Sequence, residues 1–116
     1  KFLISYYTFE NAFQVNLKGS KKMMQAKLGV SSYFDSDTMF NAEEGTEGWI
    51  PRHLVGIRAS ILKVLRNVSA EKLESVEGES EVLEELRMVI NEQIEMHEKT
   101  TSAPIEEVYF TELIVQ

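Results

Sequence analysis

The sequence predicts an α+β domain of order β-β-α-α-β, with an antiparallel or mixed sheet and two helices on one side of it. Three observations carry this. Residues 9–34 alternate apolar and polar with a period of two, the mark of half-buried strands. From Trp49 to His97 the apolar residues recur at helical spacing. The chain then closes on Val108-Tyr-Phe-Thr-Glu-Leu-Ile-Val-Gln116, a stretch rich in β-branched and aromatic side chains. Strands and helices grouped in this way within one small domain form a layer of helices on a sheet.

At 116 residues the chain is one domain, long enough to bury roughly two-thirds of its unfolded surface without staples. The net charge of −7 argues against nucleic acid, since phosphate binding wants a basic face. It equally disfavours purely electrostatic attachment to an anionic membrane. There are no cysteines, which removes disulfides, thiol catalysis and thiolate metal sites. No apolar run reaches the ~18 residues of a membrane span, and no signal peptide is visible. The chain opens at Lys1 without an initiator methionine, which leaves room for an anchor upstream of it.

Taken in order, Lys1 to Tyr7 is a short apolar-aromatic segment. It reads as an edge strand or arm on the core, or as an aromatic collar outside a membrane helix, where Tyr is enriched. Phe9, Asn11, Phe13, Val15 and Leu17 alternate against polar neighbours as the first strand. Lys18-Gly-Ser-Lys-Lys22 turns the chain, and Met24, Ala26, Leu28, Val30, Ser32 and Phe34 form one face of a second strand. The two make an antiparallel hairpin. Asp35 to Gly48 is acidic and broken by Gly45 and Gly48, hence a loop. Asp35-Ser-Asp37 invites a calcium reading, but Phe40 stands where an EF-hand loop needs glycine, and a solvated loop is the better reading.

The first helix begins at Trp49 with Pro51 in its first turn. Leu54, Ile57, Ile61, Val64 and Leu65 share one face, with Val55 and Leu62 at its edge, and Arg52, Lys63 and Arg66 form a basic stripe on the far side. Arg58 projects inside the apolar arc. It must snorkel, pair within the chain, or meet a neighbouring subunit. Ser80 is a candidate cap for the second helix, whose expected buried stripe is Leu83, Leu86, Val89, Ile90, Ile94 and His97, with Glu92, Glu95 and Glu98 facing water. His97 has only His53 as an imidazole companion, and no metal site is expected. In the final strand Val108, Phe110 and Ile114 point one way and Tyr109, Leu113 and Val115 the other. This predicts cover on both faces and makes the strand the centre of the domain. Its pairing with the first or the second strand is left open.

Nucleophile-elbow, phosphate-loop and HExxH patterns are absent, and nothing ties Ser, His and Asp together. No enzyme and no cofactor are expected. An interaction module fits better, its candidate surfaces being the acidic loop, the stripe of Arg52, Lys63 and Arg66, and the open edge of the hairpin. A basic stripe meeting an acidic neighbour head to tail could close a ring.

Four pieces in order resemble the FliL family of flagellar basal body-associated proteins. Phe13-Gln-Val-Asn-Leu17 is similar to its first strand. Ile57, Arg58, Ile61, Leu62 and Leu65 match its helix with a central arginine. Glu77-Gly78 followed by Leu83, Leu86, Arg87, Ile90 and Asn91 resembles its second helix, and Val108, Phe110, Thr111, Ile114, Val115 and Gln116 its terminal strand. The acidic loop before Trp49 departs from the pattern. The resemblance implies a stomatin/prohibitin-like (SPFH-like) fold, with residues 1–8 a membrane-proximal segment and residues 9–116 a periplasmic domain. It also implies a single-pass bacterial inner-membrane protein, anchored by a transmembrane helix upstream of this chain. Its partners would be further copies, in a ring, and MotA/MotB-like stator subunits, whose assembly or activation it would support. In that light Arg58 is the first candidate for a structural or inter-subunit role, with Arg52, Lys63, Arg66, Phe110 and Thr111 behind it. The alternative is a free-standing interaction module of another membrane system.

Overall fold

In the strand Met23–Ser32, the side chains of Met24, Ala26, Leu28, Val30 and Ser32 fall on one face, and every one of them is buried. This strand is the centre of the sheet. The computed structural model describes residues 3–116, so Lys1 and Phe2 of the aromatic segment lie outside the described residues. In chain order the elements are strands β1 (Ser5–Thr8), β2 (Phe13–Asn16) and β3 (Met23–Ser32) and the short helices α1 (Ser36–Phe40) and α2 (Trp49–Arg52). Helix α3 (Leu54–Leu65), a 3-10 turn (Lys72–Glu74), helix α4 (Val76–Glu98) and strand β4 (Ile105–Val115) complete the chain. The α+β class, the hairpin and the helical layer on one face agree with the expectation.

β1 and β2 pair antiparallel with the same side of β3, and β4 pairs antiparallel with the other side. The open question of where the last strand inserts is thus answered: it joins the second predicted strand. β1 and β2 are the halves of one broken edge. The Phe9 amide still donates to the Leu28 carbonyl at 2.9 Å, whereas Phe13 already stands opposite Ala26. The edge therefore advances four residues while β3 advances two, and Glu10 to Ala12 bulge outward. The predicted continuous strand from Phe9 to Leu17 is corrected accordingly: Asn11 is exposed, while Phe9, Phe13, Val15 and Leu17 are buried.

β4 is also broken. Leu28 faces Phe110 and Lys27 faces Glu112, leaving Thr111 as an extra residue. Beyond it the alternation changes phase, so Leu113 and Val115 stand opposite Ala26 and Met24 on the helix side, with Val108 and Phe110. Two-sided cover is not found. Ile114 and Val115 are partly exposed, β4 is an edge, and the centre belongs to β3.

The helical layer closes the core with Ile57, Ile61, Val64 and Leu65 from α3 and Val82, Leu86, Ile90 and Ile94 from α4. Burial on this scale is what holds so small a domain together, at about 25 cal/mol per Å² of apolar surface. Pro51 sits in the first turn of α2, as predicted, but His53 breaks the helix before α3. Val55, placed at the edge of the buried arc, is 86% exposed. α4 starts earlier than expected: Ser75, not Ser80, is the cap, accepting from the Gly78 amide at 3.0 Å. Gly78 is buried against the 3-10 turn, where a Cβ would lie 2.0 Å from the Lys72 carbonyl oxygen. His97 is exposed rather than buried.

The acidic segment is not all loop. Asp35 caps α1, accepting from the Thr38 amide at 3.0 Å and the Thr38 hydroxyl at 2.8 Å, and Met39 is buried beneath it. The Thr38 amide holds the Asp35 carboxyl below the usual carboxylate range. No helix among the described residues is long and apolar enough to cross a membrane.

Candidate functional site

Arg58 reaches from α3 to the bulge of the first edge. Its Nη1 donates to the Asn11 carbonyl at 2.9 Å and its Nη2 to the Ala12 carbonyl at 3.1 Å. The guanidinium also lies over the Phe13 ring, 3.9 Å from its centroid. A bulge turns carbonyls away from the ladder, and a planar fork with several donors can satisfy two at once. The arginine inside the apolar arc is thus explained by main-chain carbonyls of its own chain, not by a carboxylate.

Around this clamp the aromatic rings interlock. Tyr7 meets Phe9 edge-on at 5.3 Å, Phe9 meets Phe13 edge-on at 5.9 Å, and Tyr7 stacks on Phe40 of α1 at 5.3 Å. Burial raises the Tyr7 hydroxyl above its ordinary pKa, with Glu10 adding to the shift and Arg58 opposing it.

A second clamp, outside the candidate site residues, fastens the other edge. Asn91 on α4 is buried and reaches the first residue of β4. It accepts from the Ile105 amide at 2.8 Å and donates to the Ile105 carbonyl at 3.1 Å. The side-chain amide therefore copies a strand neighbour. Ser32 adds a hydroxyl bond to the Pro104 carbonyl at 2.8 Å. The signal for Asn91 was an amide inside the apolar stripe of α4, between Ile90 and Ile94.

The basic stripe divides. Arg52 donates to Glu98 at 3.1 Å and to the Glu47 carbonyl at 2.8 Å. Glu98 Oε2 is also hydrogen-bonded to His53 Nε2 at 2.5 Å, so it does not face water as expected. The His97 ring stacks on His53 with centroids 5.0 Å apart. Glu95 too is turned inward, accepting from the Ala103 amide at 3.0 Å. Lys63 and Arg66 stay exposed and carry no ion pair among the described residues. Phe110 packs against the core opposite Leu28, and Thr111 forms the β4 bulge. The structure therefore brings Arg58 to the first edge, Arg52 to the end of α4, and Phe110 with Thr111 to the second edge. It does not gather them into one site.

No group of three or more His, Asp or Glu side chains among the described residues is placed to hold a metal ion. What the molecule offers is surface: an open sheet face, two bulged edges and a charged helical layer. A family model described as flagellar basal body-associated protein FliL matches residues 6–116. No curated protein matches the chain.

Proposed function

The chain belongs to the FliL family of flagellar basal body-associated proteins, and from this premise we propose that it acts as a non-enzymatic accessory of the flagellar motor. In this reading copies of the chain assemble as a ring around the stator units, the MotA/MotB-like subunits, and support their assembly or activation, raising torque and motility. A transmembrane helix upstream would anchor it in the inner membrane, with this domain in the periplasm. Residues 1–8 would then be the approach to the membrane. Because Ser5–Thr8 already pair with β3, the tether would act directly on the sheet edge.

The observation that carries the reading is the extent of the match. It spans both edges, the helical layer and both clamping residues, Arg58 and Asn91, rather than a single motif. The test is mild cross-linking of the membrane-anchored protein in its own cells, followed by purification and mass identification of what comes with it. Recovery of both stator subunits in a many-copy assembly is expected. A protein recovered alone and monomeric, with the stator elsewhere, would overturn the reading.

A further inference from the structure

We propose that the free edge of β4, with the groove between it and α4, takes an extended segment of another protein as an added strand, one that alternates apolar and basic residues. This goes beyond the motor reading and does not depend on it.

The ladder decides which main-chain groups are left over, because bonded and non-bonded pairs alternate along antiparallel strands. The Phe9 amide bonds the Leu28 carbonyl, so Leu28 and Val30 turn their groups toward the first edge, and Gly29 and Ser31 turn theirs toward β4. Tyr109 and Glu107 stand opposite Gly29 and Ser31 and bond inward. Val108 and Phe110 therefore point an N–H and a C=O outward. Beyond the Thr111 bulge, Gln116 exchanges both bonds with Met23, which by the same alternation turns Leu113 and Val115 outward. The outward groups of these residues have no partner among the described residues.

The molecule itself shows what this edge accepts. Ile105 also faces outward, and the Asn91 side chain meets its amide at 2.8 Å and its carbonyl at 3.1 Å in place of a strand. From Val108 onward nothing else in the chain plays that part. Instead α4 flanks the edge with Val76, Ser80, Leu83 and Arg87 at helical spacing, and Ser80, Leu83, Glu84 and Arg87 share a groove with Glu107 and Val108. Val76 is 80% exposed, and Leu83 is only partly covered. Arg87 is held by Glu84 at 2.6 Å, so this wall of the groove is charge-balanced. A strand laid on Val108 and Phe110 turns every second side chain toward it, and apolar residues fit there.

The other side chains of that strand emerge on the open face of the sheet. There Glu107 and Glu112 stand opposite Ser31 and Lys27, and Glu106 accepts from the Ser31 hydroxyl at 2.8 Å. None of the three carboxylates is in an ion pair among the described residues. They favour basic residues in the incoming strand. They also set like charges together if two copies of β4 meet, so the occupant is a different sequence. The first edge offers no such place, because Arg58 already holds the carbonyls of its bulge.

The probe is a synthetic peptide of alternating valine and lysine, about eight residues long, within the usual range of strands. Added to the 116-residue chain, it is expected to slow amide exchange at Val108 and Phe110, read by NMR, and to leave Glu107 and Tyr109 unchanged. In an antiparallel addition the valines lie opposite Val108 and Phe110. Methylating the valine backbone nitrogens should therefore abolish binding, and methylating those of the lysines should not. Glutamate in place of the peptide lysines, or Glu107→Lys with Glu112→Lys in the protein, should weaken binding by roughly tenfold or more. Ser80→Trp, at an exposed helix position, should close the groove and weaken binding as much, with an unchanged thermal melt. No binding at about 1 mM peptide, binding that survives valine methylation, or binding without protection of Val108 and Phe110 would each overturn the proposal. So would protection of those amides in the free chain that is lost on dilution, since another copy would then hold the edge. The motor reading would be untouched by any of these failures, since it is tested by the stator subunits recovered from cells.

Discussion

The two edges of the sheet are fastened to the helical layer by single polar side chains, and the two fasteners differ for a reason. At the first edge the bulge between β1 and β2 turns out two carbonyls, and the residue that answers is Arg58, which offers donors only. At the second edge the start of β4 presents one amide and one carbonyl, and the residue that answers is Asn91, which offers one acceptor and one donor group. The chemistry of each clamp is dictated by the main-chain groups left over. Environment separates them further. Asn91 is buried, so its loss strands polar groups away from water, whereas the Arg58 guanidinium is partly exposed and water can replace part of it.

That difference sets the order of the expected effects. Asn91→Leu should be the most damaging, costing about 3 kcal/mol in denaturant unfolding, because both polar groups of Ile105 lose their partner in a buried site. Arg58→Met should cost less, about 2 kcal/mol, the sum of weakened carbonyl bonds and the lost cover over Phe13. Arg58→Lys should recover only part of this, since an ammonium lacks the planar fork that reaches both carbonyls. If Arg58→Met proved costlier than Asn91→Leu, the ranking by burial would fail.

Gly29→Ala probes how the β4 bulge is held. A Cβ there would meet Thr111 Cγ2 and the Tyr7 carbonyl oxygen, each at 3.4 Å, which is ordinary contact. The substitution should change stability by no more than about 0.5 kcal/mol, towards stabilisation, since glycine weakens a strand interior. A large loss would mean that the Thr111 bulge depends on a close approach to the bare backbone.

Acid separates the first edge from its clamp. The Asp35 carboxyl is depressed by the Thr38 amide, so the stability it lends α1 is complete above the ordinary carboxylate range and is lost as pH falls through the lowered value. The Asn91 amide carries no titratable group. Exchange of the Thr38 amide should therefore rise on acidification, and the Tyr7–Phe40 stack should loosen, while the Ile105 amide stays protected. Simultaneous loss of all three would show that α1 and the clamps melt as one unit.

Much of this could be read from the residues alone, and the failures share a cause. The period-two face of β3 is a local signal and held, and the helical faces of α3 and α4 held in their centres but not at Val55 and His97. The bulges were missed because neither alters composition much: Asn11 and Ala12 break the phase only briefly between Phe9 and Phe13, and Thr111 is an ordinary strand residue. Arg58 stood out as an anomaly, yet its partner did not, because the carbonyls it binds are exposed only once the bulge exists. The start of α4 was displaced because Glu77-Gly-Glu-Ser80 has the composition of a loop, whereas its glycine is required by the Lys72 carbonyl beside it. α1 left a single signal, the Asp35–Thr38 capping spacing, in a segment whose charge pointed to solvent.

The central place of β3 also orders the assembly of the chain in time. Its pairing with β2 closes a short turn, whereas its pairing with β4 brings Met24 to Val115 across most of the chain's length. Loop closure makes such contacts entropically late, so the hairpin and the α3–α4 pair can form while one side of β3 still lacks its neighbour. During synthesis that side stays bare until the stretch from Ile105 to Gln116 has emerged, because Gln116 itself exchanges backbone bonds with Met23. A chain shortened before Ile105 would carry a permanently unpaired central strand, a template for the intermolecular pairing that leads to aggregation.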